Sequence, residues 1–318
     1  MSAATLREPR LLRAIRDGLR QSPKRLPFEC FYDDLGSALF EAITLLPEYG
    51  LTRAGLRLLG RNAGEIADRL APPLDVVELG SGSGRKTQVL LEALAQRALV
   101  AYVPVDISPA ALAECQRHLG HQPCVTVTPI LADHLDGLRQ GVARRRPEAR
   151  LLVLFLGGNI GNFDRNAAQR FLAEIRGLLR PADALLIGAD LEKPEPVLLA
   201  AYDDPLGLTA AFNLNVLARL NRELGARFDL AAFAHRARYA AAERRVEMQL
   251  VSLADQTLPI EALGTDVAFA SGEALWTESS HRYAAGELAR MGEAAGFRCA
   301  AEWTDAEWPF THTLLVAQ

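Results

Sequence analysis

The chain has 318 residues, of which 49% are hydrophobic, 23% charged and 7% aromatic, with a formal net charge of −4. That length supports a large core and allows two domains, and the composition excludes a disordered or low-complexity chain. The acidic balance argues against a nucleic-acid partner held by phosphate neutralisation, and it supplies no attraction to an anionic membrane.

Cys30, Cys115, Cys124 and Cys299 lie far apart and form no CxxC pair. Isolated thiols in a reducing compartment are therefore expected, with no disulfide framework and no metal site. The stretch up to Arg25 is charged throughout and lacks the apolar segment of a signal peptide. No apolar run reaches the ~18 residues that a membrane span needs. A soluble, cytoplasmic monomer is the expectation.

No internal repeat is present. In the first fifty-odd residues Leu39, Phe40, Ile43 and Leu46 recur at helical spacing, and a helical pattern continues over 51–70 until Pro72-Pro73. Short β-rich runs then predict strands over Asp75–Gly80, Ala101–Asp106, Val125–Leu131, Arg150–Gly157 and Ala184–Asp190. Helical patterns between them cover Lys86–Gln96, Pro109–Leu119 and Arg165–Leu179. Apolar strands alternating with helices indicate βαβ units and a parallel sheet buried on both faces, hence an α/β fold. Residues 194–235 read as helical and 236–280 as strands. A helix at Glu287–Phe297 and two final strands return to complete the parallel sheet. The expected division is one domain over 56–192 with 282–318, and a second over 1–55 with 193–281.

The sharpest local signal ends the first strand: Val77-Glu78-Leu79-Gly80-Ser81-Gly82-Ser83-Gly84. Gly80, Gly82 and Gly84 let the backbone turn and approach a ligand at the carboxyl edge of the sheet. A dinucleotide fingerprint needs glycine at position 85, where Arg85 stands, and this disfavours an NAD-dependent oxidoreductase. The pattern E-x-G-x-G-x-G resembles the first motif of class I S-adenosylmethionine-dependent methyltransferases; the bland alternative is a tight turn with no cofactor role. Asp106, at the end of the second strand, suits ribose hydroxyls or, equally on its own, the N-cap of the next helix. Asp133 and His134 follow the third strand, near an adenine amino group or simply in a loop. His134, His235, His281 and His312 are scattered, each more in keeping with a core or surface histidine than a general base. Nucleophile-elbow, Walker, HExxH and kinase signatures are missing.

Phe31–Arg53 (FYDDLGSALFEAITLLPEYGLTR) is more specific. With VELGSGSGRKT, FLGGNIGN (Phe155–Asn162), AAYDD (Ala200–Asp204), FNLNVLARLNREL and LWTESS (Leu275–Ser280), it resembles the histidine N-alpha-methyltransferases of ergothioneine biosynthesis, in the same order and over nearly the whole chain. The resemblance implies a Rossmann-like class I methyltransferase domain with an inserted α+β substrate-binding domain. It implies trimethylation of the α-amino group of L-histidine to hercynine, with S-adenosylmethionine as cofactor. Carried over by motif, Asn162 holds the amino and carboxylate groups and orients the amine. Tyr202 and Tyr32 bind the carboxylate, Tyr49, Glu278 and Ser280 surround the imidazole, and Ser279 counts among the substrate-binding residues. Gly80, Gly82, Gly84, Lys86, Asp106 and Asp133 bind the cofactor, with His134 alongside.

Taken singly, Tyr32 and Tyr49 read as aromatics capping a core, Asn162 as a left-handed turn residue and Glu278 as a solvated strand residue. Two departures from the family pattern touch the presumed substrate pocket: Gly50 and Leu51 replace an aromatic and a proline, and Asn159 replaces a threonine. The competing substrate is another amine such as tryptophan, which has less use for Glu278 and Ser280 than a polar ring. A nucleoside-binding regulatory module is the non-enzymatic alternative, disfavoured by the intact Tyr, Asn and Glu set.

Overall fold

Both Leu74–Leu79 and Ala184–Asp190 are buried along their whole length, because a parallel strand covered by helices on two faces has no solvent side. The computed structural model describes residues 6–318; residues 1–5, where the segment read as lacking a signal peptide begins, lie outside the described residues. The chain divides into two units, Gly50–Glu192 with His281–Gln318, and the part up to Tyr49 with Lys193–Ser280.

In the first of these units one sheet runs 297–304, 310–317, 184–190, 150–155, 74–79, 100–106, 125–127, and Ile130–Leu131 also pairs with 100–106. The pairings from 184–190 to 125–127 are parallel, whereas 310–317 and 297–304 run antiparallel as a closing hairpin. The expected α/β class and Rossmann-like parallel sheet are borne out. The chain steps outward from 74–79 to 125–127, then returns to 150–155 on the other side of 74–79. This reversal opens a crevice at the carboxyl ends of 74–79 and 150–155.

Strand alternation builds two cores. Val77, Leu79, Val105, Val153, Phe155 and Ile187 face Phe171, Leu172 and Ile175 on one side of the sheet. On the other, Val76, Tyr102, Leu152, Leu154 and Leu186 face Leu59, Ile66, Leu90 and Leu94. Each buried large apolar side chain contributes about 1.5–3 kcal/mol.

Three boundaries differ from the sequence expectation. The strand expected over Val125–Leu131 is interrupted at Thr128 and Pro129. Pro104 of the neighbouring strand lies opposite this gap, so two prolines without an N–H thin the ladder there, leaving the bond from Thr128 N–H to the Tyr102 carbonyl at 2.9 Å. The helix expected from Lys86 starts at Gln88; Thr87, at φ −77° and ψ −20°, precedes it, and its hydroxyl donates to the buried Glu78 carboxylate at 2.7 Å. The strand from Arg150 stops at Phe155, as Gly157 and Gly158 turn the chain at φ 79° and 78°.

The other unit holds a four-stranded sheet in the order 24–25, 274–281, 245–252, 233–240, a hairpin of Gln256–Ile260 with Thr265–Phe269, and the helices Pro9–Leu19, Asp34–Ile43, Glu195–Ala200 and Leu208–Leu224. The helical reading of 194–235 holds to Leu224, and strand begins at Phe233. Among the described residues, no helix is long and apolar enough to cross a membrane.

Candidate active site

The glycine run leaves the strand Leu74–Leu79 with φ of 69°, 54° and 71° at Gly80, Gly82 and Gly84. The Gly80 and Ser81 N–H groups donate to the Val105 carbonyl at 2.8 and 3.1 Å, which ties the turn to the adjacent strand. A Cβ on Gly82 would meet nothing within 4 Å, so the backbone there faces open space. Asp106 closes the other side. Its Oδ2 accepts from Gly82 N–H and its Oδ1 from Ser108 N–H, both at 2.9 Å. The N-cap of the helix Pro109–Leu119 is Ser108, which accepts from Ala111 N–H, so Asp106 is not the cap. Burial pushes the Asp106 carboxyl upward, opposed by its backbone hydrogen bonds. An open glycine backbone beside a strand-end carboxylate fits a nucleoside that offers ribose hydroxyls and carries positive charge nearby.

Asp133 is the N-cap of the helix His134–Ala143, accepting from Asp136 N–H at 2.9 Å. His134 sits edge-on to Phe155 and Phe171, and burial lowers its pKa to about 4, so the ring is neutral at pH 7. Its Nε2 lies 3.4 Å from where a Gly80 Cβ would be. The Lys86 Nζ lies 2.9 Å from the Cβ position of Gly157, so the cation reaches the end of the strand Arg150–Phe155. The structure thus gathers Gly80, Lys86, Asp106 and His134 around the strand ends, with Asp133 leading the next helix.

Asn162 ends a short 3-10 turn, Asn159–Asn162, entered through Gly158. Among the described residues the positive-φ ones other than glycine are Cys124, Ala182 and Arg244, so Asn162 does not owe its place to a left-handed conformation. Gly50 and Leu51 have structural explanations. A Cβ on Gly50 would lie 2.1 Å from the Trp308 ring, and Leu51 Cδ1 sits 3.1 Å from the Cβ position of Gly158. The aromatic bulk beside Gly50 is supplied by Trp308, a residue distant in sequence. Asn159 points its Nδ2 at Gly80, 3.0 Å from that glycine's Cβ position.

The second unit carries the aromatic residues. Tyr32 follows the 3-10 turn Phe28–Phe31 and immediately precedes Asp33, the N-cap of Asp34–Ile43. Asp33 accepts from Gly36 N–H and Asn215 Nδ2 at 2.7 and 2.8 Å and pairs with Arg222. Phe40 touches both tyrosines edge-on, with ring centres 6.0 Å from Tyr32 and 6.2 Å from Tyr49. Phe212 stacks on Phe31 at 4.5 Å and meets Tyr32 edge-on. The motif around Phe212 therefore acts as scaffolding: next to it Asn213 donates to His235 Nδ1 at 2.9 Å, and His235 Nε2 bonds the Tyr202 carbonyl at 2.8 Å.

The Tyr202 hydroxyl donates to Ser280 Oγ at 2.7 Å. The motif reading sends these two residues to opposite ends of the amino acid, whereas the structure joins them. Glu278 and Ser280 share one side of the strand Ala274–His281, and alternation puts Ser279 on the other. The Glu278 carbonyl accepts from Trp276 Nε1 at 2.8 Å.

Sequence reasoning passed over Glu78 as a buried group in its own right. It accepts from Thr87 and Tyr102, and burial raises its pKa to about 7. The signal was present, an acid directly before the glycine run. Asp190 and Trp308 were also passed over; Trp308 Nε1 donates to Asp190 Oδ1 at 2.9 Å.

A family model described as "Histidine-specific methyltransferase, SAM-dependent", where SAM is S-adenosylmethionine, matches residues 11–317. The histidine N-alpha-methyltransferase of Mycobacterium tuberculosis is 40% identical over 305 residues, covering 94% of this chain and 92% of that one. Its counterpart in Mycolicibacterium smegmatis is 39% identical over 310 residues, 96% and 94% respectively. Ergothioneine biosynthesis protein 1 of Schizosaccharomyces pombe is 36% identical over 221 residues, which are 66% of this chain and 28% of that protein. The match over residues 11–317 passes through both units and takes in nearly all of the described fold: the chain belongs to the family of histidine-specific, SAM-dependent methyltransferases.

Proposed function

We propose that the protein trimethylates the α-amino group of L-histidine to hercynine, as a step of ergothioneine biosynthesis. The observation that carries this reading is the 40% identity to a histidine N-alpha-methyltransferase over 94% of the chain. Bound SAM supplies an electrophilic methyl group on a sulfonium. Asp106 accepts hydrogen bonds from the ribose, the Gly80–Gly84 turn lets the backbone come close, and Asp133 and Lys86 hold the remaining polar groups. His134, kept neutral by burial, presents no positive charge to repel a cation.

The acceptor nitrogen must lose its proton, since an ammonium has no lone pair; a peptide α-amine titrates at ~7.7–8.0 and that of a free amino acid somewhat higher, a cost that a polar but water-poor site can shift. In the first two transfers the neutral amine still carries an N–H, which the amide oxygen of Asn162 accepts, aiming the lone pair; orientation of this kind supplies much of the acceleration in an in-line displacement. Tyr32 and Tyr202 hold the carboxylate. Glu278 and Ser280 select the imidazole, beside Tyr49, whereas Ser279, on the other side of the strand, is left out of the ring pocket. A carboxylate left without its N–H partner penalises an apolar ring, which is the basis of the selection. In this reading the part up to Tyr49 with 193–280 is the substrate-binding domain, and the remainder binds SAM.

The test is mass spectrometry of L-histidine incubated with the purified protein and SAM, with tryptophan and other amino acids in parallel. Three added methyl groups on the histidine α-nitrogen are expected. Methylation of another amine in preference to histidine would overturn the substrate assignment.

A further inference from the structure

The geometry points to His281 and Tyr283 as positioning residues for Asn162, an inference that rests on the role given to Asn162 under Proposed function. The turn Asn159–Asn162 has few bonds of its own: Gly161 N–H to the Gly158 carbonyl at 2.9 Å, and Phe163 N–H to the Ile160 carbonyl at 3.2 Å. Two side chains from the far end of the chain complete it. His281 Nδ1 lies 2.9 Å from the Gly161 carbonyl, and the Tyr283 hydroxyl donates to the Ile160 carbonyl at 3.1 Å. A carbonyl only accepts, so the His281 ring carries its proton on Nδ1. Both side chains are buried, His281 at 5% exposure and Tyr283 at 0%.

The segment bearing them is itself clamped to the end of the strand Ala184–Asp190. Tyr283 N–H donates to the Asp190 carbonyl at 3.0 Å, and Glu192 N–H donates to the Tyr283 carbonyl at 3.1 Å. Buried Arg282 pairs with the Asp190 carboxylate at 3.0 Å. The Arg165 guanidinium lies 4.1 Å from the Tyr283 ring centre. His281 and Tyr283 thus transfer the rigidity of the sheet to the two carbonyls directly before Asn162. A side chain that must aim a lone pair tolerates little displacement, and this anchoring removes the freedom a glycine-flanked turn would otherwise keep.

The test uses the full-length protein with L-histidine and SAM as substrates. His281→Ala and Tyr283→Phe are each expected to lower kcat/KM about 10–100-fold, the scale of a roughly 1 Å misplacement, while affinity for S-adenosylhomocysteine stays at the parent value. Combined with Asn162→Ala, neither should cause a further loss, because both act through the same amide. His281→Asn, whose amide N–H can still reach a carbonyl, should recover part of the activity. Tyr283→Phe removes only a hydroxyl and keeps the test decisive if His281→Ala does not fold. Losses that multiply with that of Asn162→Ala, or parental activity in Tyr283→Phe and His281→Ala alike, would overturn the inference while leaving the reading of Asn162 intact. Parental turnover in Asn162→Ala alone would refute that reading and the inference with it.

Discussion

Replacing Gly50 by alanine is expected to destabilise the protein by about 1–3 kcal/mol, the range for forcing one methyl group into a packed interior. The backbone raises no objection: φ −72° and ψ −14° at Gly50 lie in a region alanine occupies freely. The obstacle is the indole of Trp308, with Cε3 at 2.1 Å and Cδ2 at 2.4 Å from the position of the new carbon. Carbon atoms in contact sit ~3.5–4.0 Å apart, so the ring has to retreat by roughly an ångström or more. It is not free to do so. Trp308 Nε1 is bonded to Asp190 Oδ1 and its backbone N–H to Asp305 Oδ1, each at 2.9 Å.

Thermal and urea unfolding measure the effect, at about 2–4 °C in Tm per kcal/mol for a fold of this size. Gly64 supplies the control. It is exposed on the helix Leu51–Asp68, and a Cβ there meets nothing within 4 Å. Gly64→Ala is therefore expected to stabilise by about 0.5–1 kcal/mol. In a Trp308→Ala background the cost of Gly50→Ala should vanish. A wild-type Tm for Gly50→Ala, or a cost that persists without the indole, would refute the packing account.

Asp106→Asn should weaken S-adenosylhomocysteine binding about tenfold or more, the worth of a hydrogen bond to a charged acceptor; unchanged affinity by calorimetry contradicts the ribose assignment. Glu278→Ala should raise KM for histidine far more than it alters affinity for S-adenosylhomocysteine, and an unchanged KM removes Glu278 from ring recognition. His312 is buried, and its pKa is lowered from 6.5 to about 3. The unfolded chain therefore binds a proton first as pH falls, and the stability owed to the neutral ring is complete above pH 6.5 and lost progressively in acid. His134, lowered to about 4, acts in the same direction, whereas Glu78, raised from 4.5 to about 7, loses stability as pH rises through that interval. His312→Gln should lose about 2–3 kcal/mol less than the parent between pH 6.5 and 4.5; parallel urea midpoints across that range would refute the assignment.

Much of the unit Gly50–Glu192 with His281–Gln318 was readable because its determinants are local. Alternation in 74–79 and 184–190, the glycine run after Leu79, and the acid at the end of 100–106 each act within a few residues of where they stand. The residues expected around histidine were found by motif, yet their partners were not. The Tyr202–Ser280 hydrogen bond spans 78 residues, the His281–Gly161 bond 120 and the Arg222–Asp33 pair 189. Periodicity carries no information about such pairs. Gly50 shows the consequence: judged by its neighbours in sequence it looks like a change in a substrate pocket, and only the fold reveals the ring of Trp308 filling the space above it.

From the order of residues alone came the α/β class, the parallel sheet, the cofactor-type turn and the family, since backbone conformation and strand burial follow short-range patterns that a chain cannot hide. Tertiary structure decided which side chains those elements share. It joined Tyr202 to Ser280, it set the indole of Trp308 over Gly50, and it anchored the turn before Asn162 to residues from the last forty of the chain. The reason is physical: packing and hydrogen bonding depend on distance in space, and for these residues the sheet, not the sequence, sets that distance.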